Sequence, residues 1–267
     1  MLYFMKHMNP YELTIQTIQE AGEMVLNLRE EQFVVSMKGG DPKDIVTSVD
    51  TEVNAFIIGK IKAAFPEHAI YSEEGGGNAE TSVYQWAIDP IDGSSNFSRA
   101  IPHFAVCISL LESGIPVLGA VYNPVTRELF SFEKGKGAQL NGVPIHVSSV
   151  TTLKEAHVFF RAGRKDSSAD WGGESYRRLL KNVNKTSNLG GSALDACFVA
   201  AGRLEANVYG TLATLDIAGA VGILLEAGGV VCDSKGEQLT FTRDAQRIYM
   251  ANNSEILGAI RTLLEAE

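Results

Sequence analysis

The stretch "WAIDPIDGSSNF", residues 86–97, decides how the chain is read. Two carboxylates, Asp89 and Asp92, are separated by Pro90 and Ile91 and followed by Gly93, Ser94 and Ser95. Pro90 fixes its own φ and biases Asp89 toward an extended backbone, which can aim both acids at one point. Clustered oxygens of this kind suit a hard divalent cation, and the Ile91 carbonyl between the acids adds another. Gly93 permits a turn, and the N–H groups of Gly93, Ser94 and Ser95 can form a nest for a phosphate. Strand-like residues before Asp89 and helix-compatible residues after Asp92 predict a turn at a sheet edge.

Working outward, "NPYELTIQTIQEAGEMVLNLRE" predicts a helix. Asn9 is its N-cap, Pro10 its first residue and Glu12 its capping-box acid, with Leu13, Ile18, Ala21, Val25 and Leu28 at helical spacing. "SMKGGDPKD" reads as a mobile loop. A second helix is predicted from Val49 to Phe65, with Asp50 at its start. "AIYSEEGGG" is a short strand running into Glu73 and Glu74, while "FAVCISLL" and "PVLGAVYNP" are apolar, β-branched strands. Asn141-Gly142 marks a hairpin. From about residue 151, strands such as "HVFF" and "GGVVCD" alternate with helical stretches such as "ALDACFVAAGRLEA" and "DIAGAVGILLEA". The division is therefore an α+β half over 1–150 and an α/β half over 151–267, forming one unit. On spacing alone, Asp50 and Asp216 also serve as acids at helix N-termini, and Glu73 and Glu74 as solvated loop acids.

Composition narrows the classes. The hydrophobic content of 45% with 21% charged residues is that of a globular protein, not a disordered one. A formal net charge of -9 disfavours general nucleic-acid or anionic-membrane binding. "MLYFMKHMN" lacks the basic start and cleavage site of a signal peptide, and "IAGAVGILLEAGGVV" is too short and too broken by Glu226 to span a bilayer. The expectation is a cytoplasmic protein. Cys107, Cys197 and Cys232 fit neither a disulfide framework nor a zinc spacing and read as buried small hydrophobes. The histidines have no metal-like spacing, and His103 reads as a structural or pocket-edge residue.

Several ordered motifs together resemble the inositol monophosphatase-like family of Mg2+-dependent, lithium-sensitive phosphatases along nearly the whole chain. "DPIDGSSNF" resembles the family's metal-binding signature, DPxDGTxNF, and "SEEGG" sits where the family carries an acidic pair. "LDIAGAVGILLEAGG" resembles its second signature, WDxAAGxxLxxEAGG, and "KGKGAQLNG" and "GGSALDACFVAAGRLEA" match the pattern between. The resemblance implies a layered αβαβα sandwich of the inositol monophosphatase and fructose-1,6-bisphosphatase type, commonly a homodimer, with the site between the halves. It implies that Glu73, Asp89, Asp92, Asp216 and the Ile91 carbonyl hold two or three Mg2+ ions, with Glu73 and Ser94 orienting a water. Asp50 and Glu74 would support the metal site, and Lys38 would lie near it. Gly93, Ser94 and Ser95 would hold the phosphate, and Gly190, Gly191, Ser192 and Tyr209 would face the leaving group. Hydrolysis would be in line, without a phosphoenzyme.

Two departures bear on the substrate, a small phosphorylated metabolite. Leu215 stands where tryptophan is usual, and Tyr209 where inositol phosphatases place a glutamate that contacts an inositol hydroxyl. Inositol 1-phosphate leads, with fructose 1,6-bisphosphate, histidinol phosphate and adenosine 3',5'-bisphosphate as alternatives. A haloacid dehalogenase phosphatase is disfavoured because its two acids lie two positions apart, whereas Asp89 and Asp92 lie three apart. The remaining class is a regulatory binding protein on the same fold, since some bacterial relatives act with the transcription machinery.

Overall fold

The computed structural model describes residues 8–31, 33–37, 40, 45–78, 82–163 and 169–266. Helix α1, Pro10–Glu30, starts as its sequence predicts. Asn9 accepts from Glu12 N, and Glu12 reaches back to the Asn9 amide. Short strands β1 (Val35–Met37) and β2 (Ile45–Thr47) pair antiparallel and lead into α2, Ser48–Ala64. The segment read as a mobile loop thus begins inside β1 at Ser36 and Met37. Helix α2 starts one residue early because Thr47, not Asp50, is its N-cap. Asp50 is the reciprocal acid of that capping box.

Seven strands then form one sheet in the order β3 (Ala69–Ser72), β4 (Tyr84–Asp92), β5 (Ala105–Glu112), β6 (Ile115–Asn123), β7 (Glu128–Glu133), β8 (Ala138–Leu140), β9 (Val143–Pro144). Only the β3–β4 pairing is parallel. Asn141 and Gly142, with φ of 51° and 79°, turn the β8–β9 hairpin as the dipeptide predicts. The helix α3 is the short Ser94–Ser98.

The second sheet has the order β11 (Lys185–Ser187), β10 (His157–Arg161), β12 (Ala206–Ala213), β14 (Ala245–Ala251), β13 (Val230–Asp233). Its first three strands run parallel, connected through α4 (Ala169–Asn182) and α5 (Ser192–Ala200). Helices α6 (Ala218–Glu226) and α7 (Ser254–Glu265) complete the chain.

Three apolar cores define five layers. Ile18, Val25, Val53 and Ile57 of α1 and α2 pack on Trp86, Ile88, Val106 and Ile108. On the opposite face of that sheet, α5 and α6 put Leu194, Cys197, Val221 and Leu224 between Phe130 and Phe132 of the first sheet and Phe159, Tyr209 and Met250 of the second. Strand alternation then sends Val158, Phe160, Val208 and Tyr249 outward, where Leu179 of α4 and Ile256 and Ile260 of α7 cover them. The result is the αβαβα sandwich. Helix α6 sits close on the first sheet because Gly222 has no Cβ: one there would stand 2.1 Å from the Phe132 ring. The three cysteines are all buried and unpaired, as read. No described helix is long and apolar enough to cross a membrane.

Candidate active site

The site grows from the end of β4. Asp89 pairs with Cys107 of β5, but the next pairing is Asp92 with Ala105, so Pro90 and Ile91 oppose Val106 alone. Pro90 has no N–H to give the ladder, which is the physical reason for the bulge. The acids therefore lie where β4 runs past the end of β3, whose pairing stops at Ser72 and Ile88, with β5 on one side only and the turn at Gly93 just beyond; the bulge is added to the edge turn that the sequence predicts. Asp89 accepts from Ile91 N at 3.0 Å, which ties its side chain to the bulge. Gly93 then adopts φ 89°, ψ 36°, a left-handed conformation suited to glycine, and a Cβ there would stand 3.1 Å from His103 O. The chain enters α3 there, so Ser94 N and Ser95 N have no intrahelical carbonyl to meet.

Other segments bring acids to this point. Asp50 is fully buried. Its Oδ2 accepts from Thr47 N at 2.9 Å and Thr47 Oγ1 at 2.5 Å. Ser94 Oγ stands 3.3 Å from Asp50 Oδ1 and 3.0 Å from the Ile91 carbonyl, so its one proton serves either. Glu73 follows β3, with its amide on Ile88 O at 3.1 Å. The Glu73–Glu74 turn is pinned to α2 through Asn54, which donates to Gly75 O and accepts from Ser72 Oγ, while Ser72 Oγ also accepts from Glu74 N. Asp216 arrives from beyond β12 and receives the Tyr71 hydroxyl at 2.9 Å. It precedes α6 by two residues and is not its cap.

Electrostatics report the crowding. Burial, then Glu73, Asp92 and Asp216, push the Asp89 carboxyl well above the usual carboxylate range, and it hydrogen-bonds Glu73. Burial followed by Asp216 and Glu73 raises the Tyr71 phenol, with Arg243 over its ring opposing. Asp92 is also raised by burial, against hydrogen bonds that hold it down. Those bonds come from α5: Ser192 N (3.1 Å) and Ser192 Oγ (2.5 Å) donate to Asp92 Oδ1, and Ala193 N (2.8 Å) to Oδ2.

The structure thus gathers Asp50, Glu73, Asp89, Ile91, Asp92, Ser94 and Asp216, and places Ser192 on Asp92. Gly190, at φ 87°, packs on Asn96, and Gly191 on the His103 ring. Tyr209 is 1% exposed, with its hydroxyl donated to Asp195. Lys38 lies outside the described residues. As placed, no group of three or more His, Cys, Asp or Glu side chains among the described residues encloses a point that could hold a metal ion. The donor set nevertheless fits one in kind: several carboxylates and a main-chain carbonyl are hard oxygen ligands, and their mutual repulsion at Asp89 is what a dication relieves. Sequence reasoning missed Thr47, Tyr71, Asn96 and Asp195. Two signals were available: Thr47 and Asp50 have capping-box spacing ahead of an apolar run, and Asp195 is an acid within the apolar run "SALDACFVA", where a buried carboxylate requires partners.

Bulge, acid cluster and donor-rich turn sit in a five-layer αβαβα sandwich, the fold of solved inositol monophosphatases. The profile of the Inositol monophosphatase family matches residues 9–267, and the chain belongs to that family. It is 35% identical over 260 residues to "Nus factor SuhB" of Pseudomonas aeruginosa, covering 95% of this chain and 94% of that one. Identity is 34% over 231 residues to "Fructose-1,6-bisphosphatase/inositol-1-monophosphatase" of Thermotoga maritima, covering 86% and 87%. Among solved structures, extragenic suppressor protein suhB from Bartonella henselae superposes with a TM-score of 0.89 at 29% identity, over 96% of this chain and 98% of that one.

Proposed function

We propose that the chain is a Mg2+-dependent phosphoric monoester hydrolase, with inositol 1-phosphate as its first candidate substrate. The observation that carries this reading is the set of acids from separate segments that raises buried Asp89. Such crowding destabilises a metal-free fold and has use where a dication binds. Glu73, Asp89, Asp92, Asp216 and the Ile91 carbonyl are the proposed holders of two or three ions. Bound there, Mg2+ supplies Lewis-acid chemistry that makes a water nucleophilic near neutral pH and offsets charge on the leaving oxygen.

The chain's own groups do the rest. The N–H groups of Gly93 and Ser94, with Ser95, hold the phosphate. Glu73 and Ser94 Oγ orient the water in line with the leaving oxygen, and Asp50 Oδ1 behind Ser94 accepts the proton that the hydroxyl passes on. Water oxygen bonds to phosphorus, the bond from phosphorus to the leaving oxygen breaks, that oxygen takes a proton from solvent to depart as the alcohol, and no phosphoenzyme forms. Glu74 and Lys38 support the site. Ser192, with Gly190 and Gly191, faces the alcohol. In this reading the 1–150 and 151–267 halves work as one catalytic unit, homodimeric, cytoplasmic and lithium-sensitive.

A second reading, a regulatory binding protein, is favoured by the name Nus factor SuhB carried by a relative at 35% identity. Phosphate release from inositol 1-phosphate, fructose 1,6-bisphosphate, histidinol phosphate and adenosine 3',5'-bisphosphate, with Mg2+ or with chelator, separates the two. Turnover of any of them that requires Mg2+ supports the hydrolase. Silence from folded protein across the panel favours the regulatory role.

A further inference from the structure

Asp195 is a carboxylate only 1% exposed, set in α5 among Ala193, Leu194, Ala196 and Cys197. Burying such a charge costs several kcal/mol unless its lone pairs are met. Here both oxygens are met, from different layers. His103, in the loop before β5 of the first sheet, approaches Oδ1 through Nε2 at 2.8 Å. Tyr209, on β12 of the second sheet, donates its hydroxyl to Oδ2 at 2.7 Å. The first turn of α5 is therefore tied to both sheets through one residue.

The loop that precedes α5 is seated on the same group. Asn96 Nδ2 donates to both His103 O (2.7 Å) and Leu189 O (2.8 Å). Gly191 lies so close to His103 that a Cβ would stand 3.0 Å from its Cδ2. What this seat delivers is Ser192 N, Ser192 Oγ and Ala193 N onto Asp92. Helical side chains lean toward the N-terminus, so Asp195 reaches back beneath the very turn whose amides meet Asp92.

We infer that His103, Asp195 and Tyr209 act together as positioning residues that hold the first turn of α5 against Asp92 and thereby set the leaving-group side of the site. Within this network the Tyr209 proton and both Asp195 oxygens are spent on one another, so Tyr209 acts on the substrate through α5 and not by touching it. A leaving alcohol with hydroxyl groups meets the turn of Gly190, Gly191 and Ser192, and its binding then depends on where α5 stands. This last step rests on the hydrolase reading proposed above; the positioning itself does not.

The test is Tyr209→Phe, which keeps the ring and removes one donor, with His103→Gln and His103→Leu beside it. Amide hydrogen exchange is read over residues 189–195. Loss of one hydrogen bond of about 1.4 kcal/mol corresponds to exchange about tenfold faster in that segment for Tyr209→Phe. His103→Gln, which still donates to Asp195, should exchange more slowly than His103→Leu. Unchanged exchange in Tyr209→Phe, or equal behaviour of the two His103 variants, overturns the inference. Turnover is read with inositol 1-phosphate and with p-nitrophenyl phosphate, whose leaving group has no hydroxyl to place. Tyr209→Phe should raise KM for the first about fivefold or more relative to the second, with smaller effects on kcat. Equal changes for both refute the leaving-group step alone. If the unmutated protein hydrolyses neither, the hydrolase reading fails, and the exchange data decide the positioning claim.

Discussion

Replacing Asp89 by asparagine should stabilise the metal-free protein and weaken its response to Mg2+. Asp89 is buried, and burial, Glu73, Asp92 and Asp216 raise its carboxyl well above the usual carboxylate range. An acid whose folded pKa is raised binds more protons in the native than in the unfolded state across the window between the two values. Stability therefore falls as pH rises through that window, by up to about 1.4 kcal/mol per pH unit for one proton. At roughly 2–4 °C per kcal/mol for a chain of this size, the melting temperature in chelator should drop by up to about 3–6 °C per pH unit there. The asparagine side chain of Asp89→Asn titrates no proton, and its carbonyl can still accept from Ile91 N, so the variant should lose that slope and melt above the parent at neutral pH. Adding Mg2+ should reverse the order. A ligand at a hundred times its Kd adds about 2.7 kcal/mol to the protein that binds it, and the variant should gain much less. Thermal melts at several pH values, in chelator and in Mg2+, measure both effects. A variant that melts below the parent at every pH in chelator, or equal Mg2+ stabilisation of the two, would refute the reasoning.

Three further perturbations test the frame around the site. Gly222→Ala puts a methyl 2.1–2.7 Å from the Phe132 ring and should cost about 1–3 kcal/mol of overpacking, seen as a lower denaturant midpoint at constant m value. Thr47→Val removes the hydroxyl that donates to Asp50 and caps α2; stability should fall by about 1–2 kcal/mol, and kcat should fall as well, because Ser94 then faces a rearranged Asp50. Trp86→Phe deletes the bond from Nε1 to His68 Nδ1, 3.1 Å long and buried, and opens space in the first core. A loss of about 2–3 kcal/mol in denaturant unfolding is expected, with no change in KM.

Elements with local signals were legible in the residues themselves. The capping box at Asn9 and Glu12, the Asn141-Gly142 hairpin and the apolar runs of β5 and β6 each carry their own physics over a short span of chain. The motif resemblance supplied the five layers, which local patterns could not, because layering depends on which core each strand face enters. Asp50 shows how a local reading stays ambiguous: it completes the α2 capping box and also faces Ser94, so the capping role does not compete with the site role proposed for it. The bulge at Pro90 was not legible because it is set by the register of β4 on β5, a long-range property. Asp195 was passed over since its partners, His103 and Tyr209, lie 92 and 14 residues away.

The central claim, that the acids around Asp89 hold Mg2+ to hydrolyse a phosphate monoester, is tested most directly by phosphate release from inositol 1-phosphate as Mg2+ is titrated, for the parent and for Asp216→Asn. The account predicts turnover by the parent that saturates with Mg2+ and vanishes in chelator, and at least about a hundredfold less in a folded Asp216→Asn at limiting metal. Turnover that survives chelator, or that is equal in the parent and Asp216→Asn at limiting Mg2+, would contradict it.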